Sequence, residues 1–153
     1  MRIRLLAVGK DRSGLYAPAV EEYAGRLARY ARFELVEIPE ARKRAGTPQA
    51  RDEEGESILA RLEDRERVVA LDERGEEPTS AELARKLEGW MRGGRDVALV
   101  IGGSDGLAAA VLDRAAERLA LSRLTLAHRL ARLVLLEQLY RAFTILRGEP
   151  YHK

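Results

Sequence analysis

Val97-Ala98-Leu99-Val100-Ile101-Gly102-Gly103-Ser104-Asp105-Gly106 is the stretch that decides the fold. Five consecutive apolar residues read as a buried strand, and the strand empties directly into glycines. Glycines at the carboxyl end of such a strand let a ligand approach the backbone closely, and the crevice beyond those ends is where open α/β sheets bind ligands. Working outward, the same strand-then-helix grammar recurs. Ile3 to Gly9 reads as a strand, and Val20, Tyr23, Ala24 and Leu27 follow at helical spacing. Phe33 to Ile38 is a second strand, stopped by Pro39, and Thr47-Pro48 opens a helix carrying Ile58, Leu59 and Leu62. Val68 to Leu71 is a third strand ending at Asp72, with a turn through Gly75. Thr79 and Glu82 form a capping-box pair ahead of Leu83, Leu87, Trp90 and Met91, and Gly93-Gly94 stops that helix.

Downstream of the glycines, Leu107 to Leu119 is rich in alanine and reads as a helix, Leu124 to Leu126 as a short fifth strand, and Arg129 to Leu146 as a closing helix. Parallel strands need crossover connections, which helices make, so this alternation predicts an α/β fold: a parallel sheet with helices on both faces. The 153 residues, 46% hydrophobic, suit a single domain spanning 1–153. The closing helix is apolar on more faces than one sheet contact can cover, which favours a homodimer interface.

Composition removes several function classes. Cysteine is absent, which excludes disulfides, thiolate metal sites and thiol catalysis. With two histidines and no metal-binding spacing, no metal is expected. The first apolar run holds Arg2 and Arg4 and is too short for a signal-peptide core or a membrane span, so a cytoplasmic protein is expected. The net charge of +2 and pI near 9.1 permit a polyanionic partner without demanding one. Neither the dinucleotide fingerprint nor the P-loop pattern is present. Gly102 to Gly106 matches G-x-S-x-G, and Asp113 and His128 follow in triad order, so a serine hydrolase acting through Ser104 is an alternative; the chain is short for that fold. Asp72, Gly102 and His128 stand at three separate strand ends and converge on one crevice.

Val97 to Gly106, Leu124-Thr125-Leu126-Ala127-His128, Leu136-Glu137-Gln138-Leu139-Tyr140-Arg141-Ala142 and Pro150-Tyr151-His152-Lys153, in that order, closely resemble the RlmH family of the SPOUT class, the pseudouridine N3-methyltransferases of large-subunit (23S) ribosomal RNA. Leu6 to Lys10 and Phe33 to Pro39 resemble its opening segments. The chain departs from the family pattern at Ala127 and Arg129, and Ser104 takes a place where relatives also use proline.

The resemblance implies an S-adenosylmethionine-dependent homodimer whose carboxyl-terminal segment forms a trefoil knot around the cofactor. It implies cofactor contacts from Leu71, Gly102, Gly103 and the stretch Leu121, Ser122, Arg123, Leu124, Thr125 and Leu126. It makes His128, Arg141, Tyr151 and His152 the catalytic candidates for a pocket that favours the imide anion. Ribosomal RNA, in assembled particles, is the implied substrate, with Arg42, Lys43, Arg44, Arg129, Arg132 and Lys153 neutralising phosphates. A non-catalytic RNA-binding or ribosome-assembly module of the same fold is the rival reading.

Overall fold

In a computed structural model that describes residues 1–42 and 45–153, the order of elements is β1 (Arg2–Val8), α1 (Ala17–Leu27), β2 (Arg32–Ile38), α2 (Pro48–Leu59), β3 (Arg67–Glu76), α3 (Ser80–Gly93), β4 (Val97–Ile101), α4 (Ala109–Arg114), β5 (Glu117–Leu119) and α5 (His128–Arg147). The strands pair in the order β2-β1-β4-β3-β5, every pair parallel. This is the fold class expected from the alternation of patterns.

Burial on two faces explains why the central strands carry unbroken apolar runs. Along β1, Ile3, Leu5 and Ala7 face one core with Val97, Leu99 and Ile101 of β4, and that core is closed by α1, α3 and α5 through Leu27, Leu87, Trp90, Leu135, Leu139 and Phe143. Leu6 and Val8 point the other way with Ala98 and Val100, onto α2 and α4 through Ile58 and Val111. Each fully buried leucine or isoleucine contributes about 1.5–3 kcal/mol relative to exposure, so these two layers dominate the stability.

Local signals fix the helix ends. Thr79 Oγ1 accepts from Glu82 N at 3.2 Å while Glu82 Oε2 accepts from Thr79 N at 2.7 Å, completing the expected capping box. Gly94 takes the left-handed conformation just after α3, at φ 67°. Asp11 serves α1 from outside the helix, accepting from Tyr16 N at 2.6 Å and Ala17 N at 2.9 Å.

Three expectations need correction. The stretch 107–119 is not one helix: α4 ends at Arg114, Ala115 turns extended at ψ 135°, and Glu117–Leu119 becomes the fifth strand, paired with β3. Accordingly Leu124 to Leu126 is not a strand; it lies in the loop that leads to α5, with Leu124 77% exposed. The chain also does not turn at Asp72, because β3 continues to Glu76 through a register shift after Leu71. Gly75 permits this, since a Cβ there would lie 2.6 Å from the Arg118 carbonyl carbon.

Most of the apolar surface of α5 is absorbed within the chain. Leu135, Leu136, Leu139 and Phe143 are buried against the sheet, α1 and α3, leaving Leu130, Leu133 and Val134 half-buried. Among the described residues no helix is long and apolar enough to cross a membrane.

Candidate active site

The carboxyl ends of β3, β4 and β5 open into a cleft of ≈ 460 Å³. Ala70 pairs with Val100, which brings the residues after them, Leu71 and Ile101 and then Asp72 and Gly102, level across the two strands. Of the residues expected to contact a cofactor, Leu71, Gly102, Gly103, Leu121, Ser122, Leu124, Thr125 and Leu126 all line this cleft, and Arg123 alone does not. His128 also lines it, at the first turn of α5 and not after a strand.

Glycine is required where the loop after β4 folds back on itself. A Cβ on Gly102 would sit 2.5 Å from Gly106 O, Gly103 and Gly106 form an antiparallel bridge, and Gly106 adopts φ 77°. The opposite wall, residues 121–126, has little internal bonding: of its main-chain N–H groups only that of Leu124 has a partner among the described residues, the Ser122 hydroxyl at 2.9 Å. Unpaired main-chain donors and acceptors beside leucines are what an adenine ring needs for edge recognition and for packing of its faces.

Arg51, from α2, completes the wall. Its Nε is buried without a partner, and among the described residues its guanidinium makes no hydrogen bond or ion pair. Buried Arg4 and Arg132 also have an unpartnered Nε, but their terminal nitrogens bond Glu66 and Gly9 O respectively. Among the described residues Arg51 and Arg74 are thus cleft cations without an ion pair, Arg51 being the one with a buried Nε, while Asp72, Glu73 and Asp105 offer charge of the opposite sign nearby. Leucines, open main-chain groups, uncommitted arginines and carboxylates fit an adenosyl ligand with a zwitterionic amino-acid end. Arg51 carried no sequence motif; only its packing reveals it.

His128 has a buried, unpartnered Nε2. Burial, then the neighbouring Arg129, hold its pKa below the usual imidazole value, so the ring is neutral at pH 7.

The other catalytic candidates gather elsewhere. Arg141 lies thirteen residues along α5 from His128, about 20 Å at the helical rise. There Glu137 Oε1 accepts from Arg141 Nη2 at 2.6 Å and from Tyr151 Oη at 2.9 Å, Tyr23 and Tyr151 hydroxyls meet at 3.2 Å, and Arg141 Nη1 lies 3.3 Å from His152 Nδ1. The Arg141 guanidinium also stacks over the Tyr151 ring at 4.8 Å. Within one chain, then, Arg141, Tyr151 and His152 form a cluster apart from the cleft.

Two of the expected RNA contacts are used internally. Arg132 is buried and donates to Gly9 O at 2.7 Å, and Arg129 bridges Lys10 O at 2.8 Å and Glu40 at 2.7 Å. Arg42 and Lys153 are exposed; Lys43 and Arg44 lie outside the described residues. Among the described residues no hydrogen bond joins Ser104 to His128, whose Nε2 has no partner, so the elbow-like motif assembles no triad there.

A parallel α/β sheet whose strand ends open into a cleft between a glycine turn and an open loop defines an α/β protein with a ligand-sized site at the carboxyl ends of its strands. The chain belongs to the SPOUT methyltransferase family, whose model, described as "Predicted SPOUT methyltransferase", matches residues 1–152. It is 75% identical over 153 residues to the ribosomal RNA large subunit methyltransferase H of Anaeromyxobacter sp. (strain Fw109-5), covering 100% of both chains. It is 50% identical to the protein of the same name from Alkalilimnicola ehrlichii, covering 100% of this chain and 99% of the relative. A probable methylase family protein from Haemophilus influenzae Rd KW20 shares the fold at TM-score 0.55 and 17% identity, over 99% of this chain and 70% of the other.

Proposed function

We propose that the chain is an S-adenosylmethionine-dependent methyltransferase acting on N3 of a pseudouridine in large-subunit ribosomal RNA, with residues 1–153 as one catalytic domain of a cytoplasmic homodimer. The observation that carries this reading is the cleft: a glycine turn facing a loop of unpaired main-chain groups, with the buried, unpartnered Nε of Arg51 in its wall, in a chain of this family.

Bound there, S-adenosylmethionine supplies a methyl group on a sulfonium, open to in-line displacement. Main-chain groups of 121–126 would hold the adenine edge, with Leu71 and Leu126 as apolar partners in the same cleft. Gly102 and Gly103 would admit the ligand close to the backbone, and Arg51 would take its carboxylate. Proximity is the larger part of the acceleration such a site provides. His128, neutral and lining the cleft, would offer the reacting base one hydrogen bond through its ring.

The separation of Arg141, Tyr151 and His152 from the cleft supports a site shared between two copies, in which the tail of one faces the cleft of the other. The half-buried stripe of Leu130, Leu133 and Val134 is the surface we assign to that contact. The threading of the closing segment into a knot belongs to the same proposal. RNA phosphates fall to exposed cations, Arg42 and Lys153 among them, and a net charge of +2 suits recognition of a folded ribosomal particle by shape more than tight binding of free RNA.

Tritium transfer from labelled S-adenosylmethionine to ribosomal particles, with the product nucleoside mapped by mass spectrometry, tests the reading. Label in a 3-methylpseudouridine of large-subunit RNA is expected. Absence of S-adenosylmethionine binding by calorimetry overturns it and leaves the non-catalytic RNA-binding reading.

A further inference from the structure

Beside the cleft lies a second hollow of ≈ 300 Å³, and the two share a wall: Gly103, Ser104, Asp105 and His128 line both. One side of the hollow is α2, which packs tightly on the glycine turn because Gly55 leaves room for Ala108, whose Cβ would lie 2.7 Å from a Cβ on Gly55. One helical position earlier, Glu54 reaches over the turn itself. Its Oε2 would stand 2.9 Å from a Cβ on Gly103, and its Oε1 accepts only a long 3.3 Å bond from Ala41 N. No cation pairs with Glu54 among the described residues. Arg129, the hollow's arginine, is engaged by Glu40 at 2.7 Å.

We infer that this second hollow receives the uracil-type base to be methylated and that the Glu54 carboxylate accepts the proton of its imide nitrogen. The inference rests on the methyltransferase reading above and assigns the acceptor's place within it. A methyl donor in the cleft and a base in the hollow would meet across Gly103, whose missing side chain opens the shared wall. A planar base fits the volume, and the hollow offers the groups an imide edge requires: an acceptor for N–H, and donors for the flanking carbonyls from Ser104 and from His128. The step balances without further reagents. The N3–H bond breaks and its proton passes to a Glu54 oxygen; the N3 lone pair bonds the methyl carbon; the carbon–sulfur bond breaks, its electron pair remaining on sulfur.

Glu54 suits the part. Burial raises its pKa above the ordinary carboxylate value, helped by Asp105, Glu40 and Glu53, while the Ala41 N–H acts against it. Its base strength is thereby brought closer to working pH. Among the described residues that line the hollow, the other titratable groups are His128, held neutral, and Arg129.

The test uses the full chain with ribosomal particles. Glu54→Gln keeps the shape and one hydrogen bond but cannot take the proton. Calorimetric affinity for S-adenosylmethionine is expected within about twofold of wild type, while single-turnover methyl transfer falls about 10²-fold at pH 7, the usual contribution of a positioned base. The deficit should narrow as pH rises and the imide ionises unaided. Ala45→Trp, at a position that lines the hollow and not the cleft, should preserve cofactor affinity and sharply reduce transfer. Wild-type transfer rates and an unchanged pH profile in Glu54→Gln, or normal transfer in Ala45→Trp, would overturn the inference. If wild-type protein binds no S-adenosylmethionine, the fault lies with the functional reading and not with this assignment.

Discussion

Tyr151 donates its phenolic hydrogen to Glu137 Oε1 at 2.9 Å, tying the last residues of the chain to the middle of α5. The same carboxylate oxygen holds Arg141, so one residue that carries no expected role fixes the position of two that do. Glu137 therefore sets the geometry that the tail presents to any partner.

Tyr151→Phe keeps the ring contacts with Tyr140 and Arg141 and removes only the hydroxyl bonds. Amide exchange across 149–153 should rise about tenfold, corresponding to about 1.4 kcal/mol, with little change in the global melting temperature because the loss is confined to a terminal segment. A double-mutant cycle with Glu137→Ala should return a coupling of about 1 kcal/mol; additivity would show that the bond contributes nothing.

At the other end of the sheet, Asp96 accepts from Arg2 N at 2.8 Å and from Arg2 Nε at 3.2 Å. These bonds, the main-chain one first, hold its pKa below the ordinary 3.8. A depressed carboxylate stabilises the fold fully above the unfolded value and loses that contribution as pH falls through the folded one. Asp96→Asn should therefore lower the melting temperature at pH 7, by an amount worth at most about 1 kcal/mol because solvent screens the pair. The gap should close as pH falls below 3.8 and through the depressed folded value, and a gap that persists once the carboxyl is protonated would assign the effect to packing.

How much was legible beforehand can be judged from particular residues. Val97–Ile101, the Thr79 and Glu82 cap and α5 were readable because their signals are local: an apolar run, a three-residue spacing, a helical period. Glu117 to Leu119 was not. Its alanine-rich approach favours helix, and what makes it a strand is distant in sequence, since Glu117 accepts from Arg67 Nη1 at 2.7 Å and Trp90 Nε1 at 2.8 Å. Leu124 to Leu126 misled in the opposite way, showing strand-like alternation in a loop with no neighbour to pair with. The residues that the family resemblance singled out for the cofactor, Arg123 aside, line one cleft. The uncommitted state of Arg51 and the pinning by Glu137 appear only in three dimensions.

Glycines separate the same way. Gly75→Ala must push a Cβ into the Arg118 backbone and should destabilise by about 1–3 kcal/mol, the range for overpacking. Gly25, exposed in α1 with no atom within 4 Å of a built Cβ, should gain about 0.5–1 kcal/mol as alanine. Urea midpoints of the two variants are expected to move in opposite directions, and a shift of the same sign would contradict the contact at β5.

His128 joins the cleft, the hollow and the start of α5, and its charge state decides what it can do there. Burial first and Arg129 second depress its pKa below 6.5, with Arg132 acting the same way and Glu40 against them. The neutral ring is therefore retained above 6.5 and is protonated only as pH falls below it, so an acid loss of activity governed by His128 should lie below the ordinary imidazole range. Arg129→Gln removes a cation and releases Glu40, both of which favour the imidazolium, so the titration should move upward. With His128 and His152 the only histidines, ring proton shifts in an NMR titration resolve each one. A wild-type His128 midpoint at or above 6.5, or one that does not rise in Arg129→Gln, would show that solvent reaches Nε2 and that the site is wetter than its packing indicates.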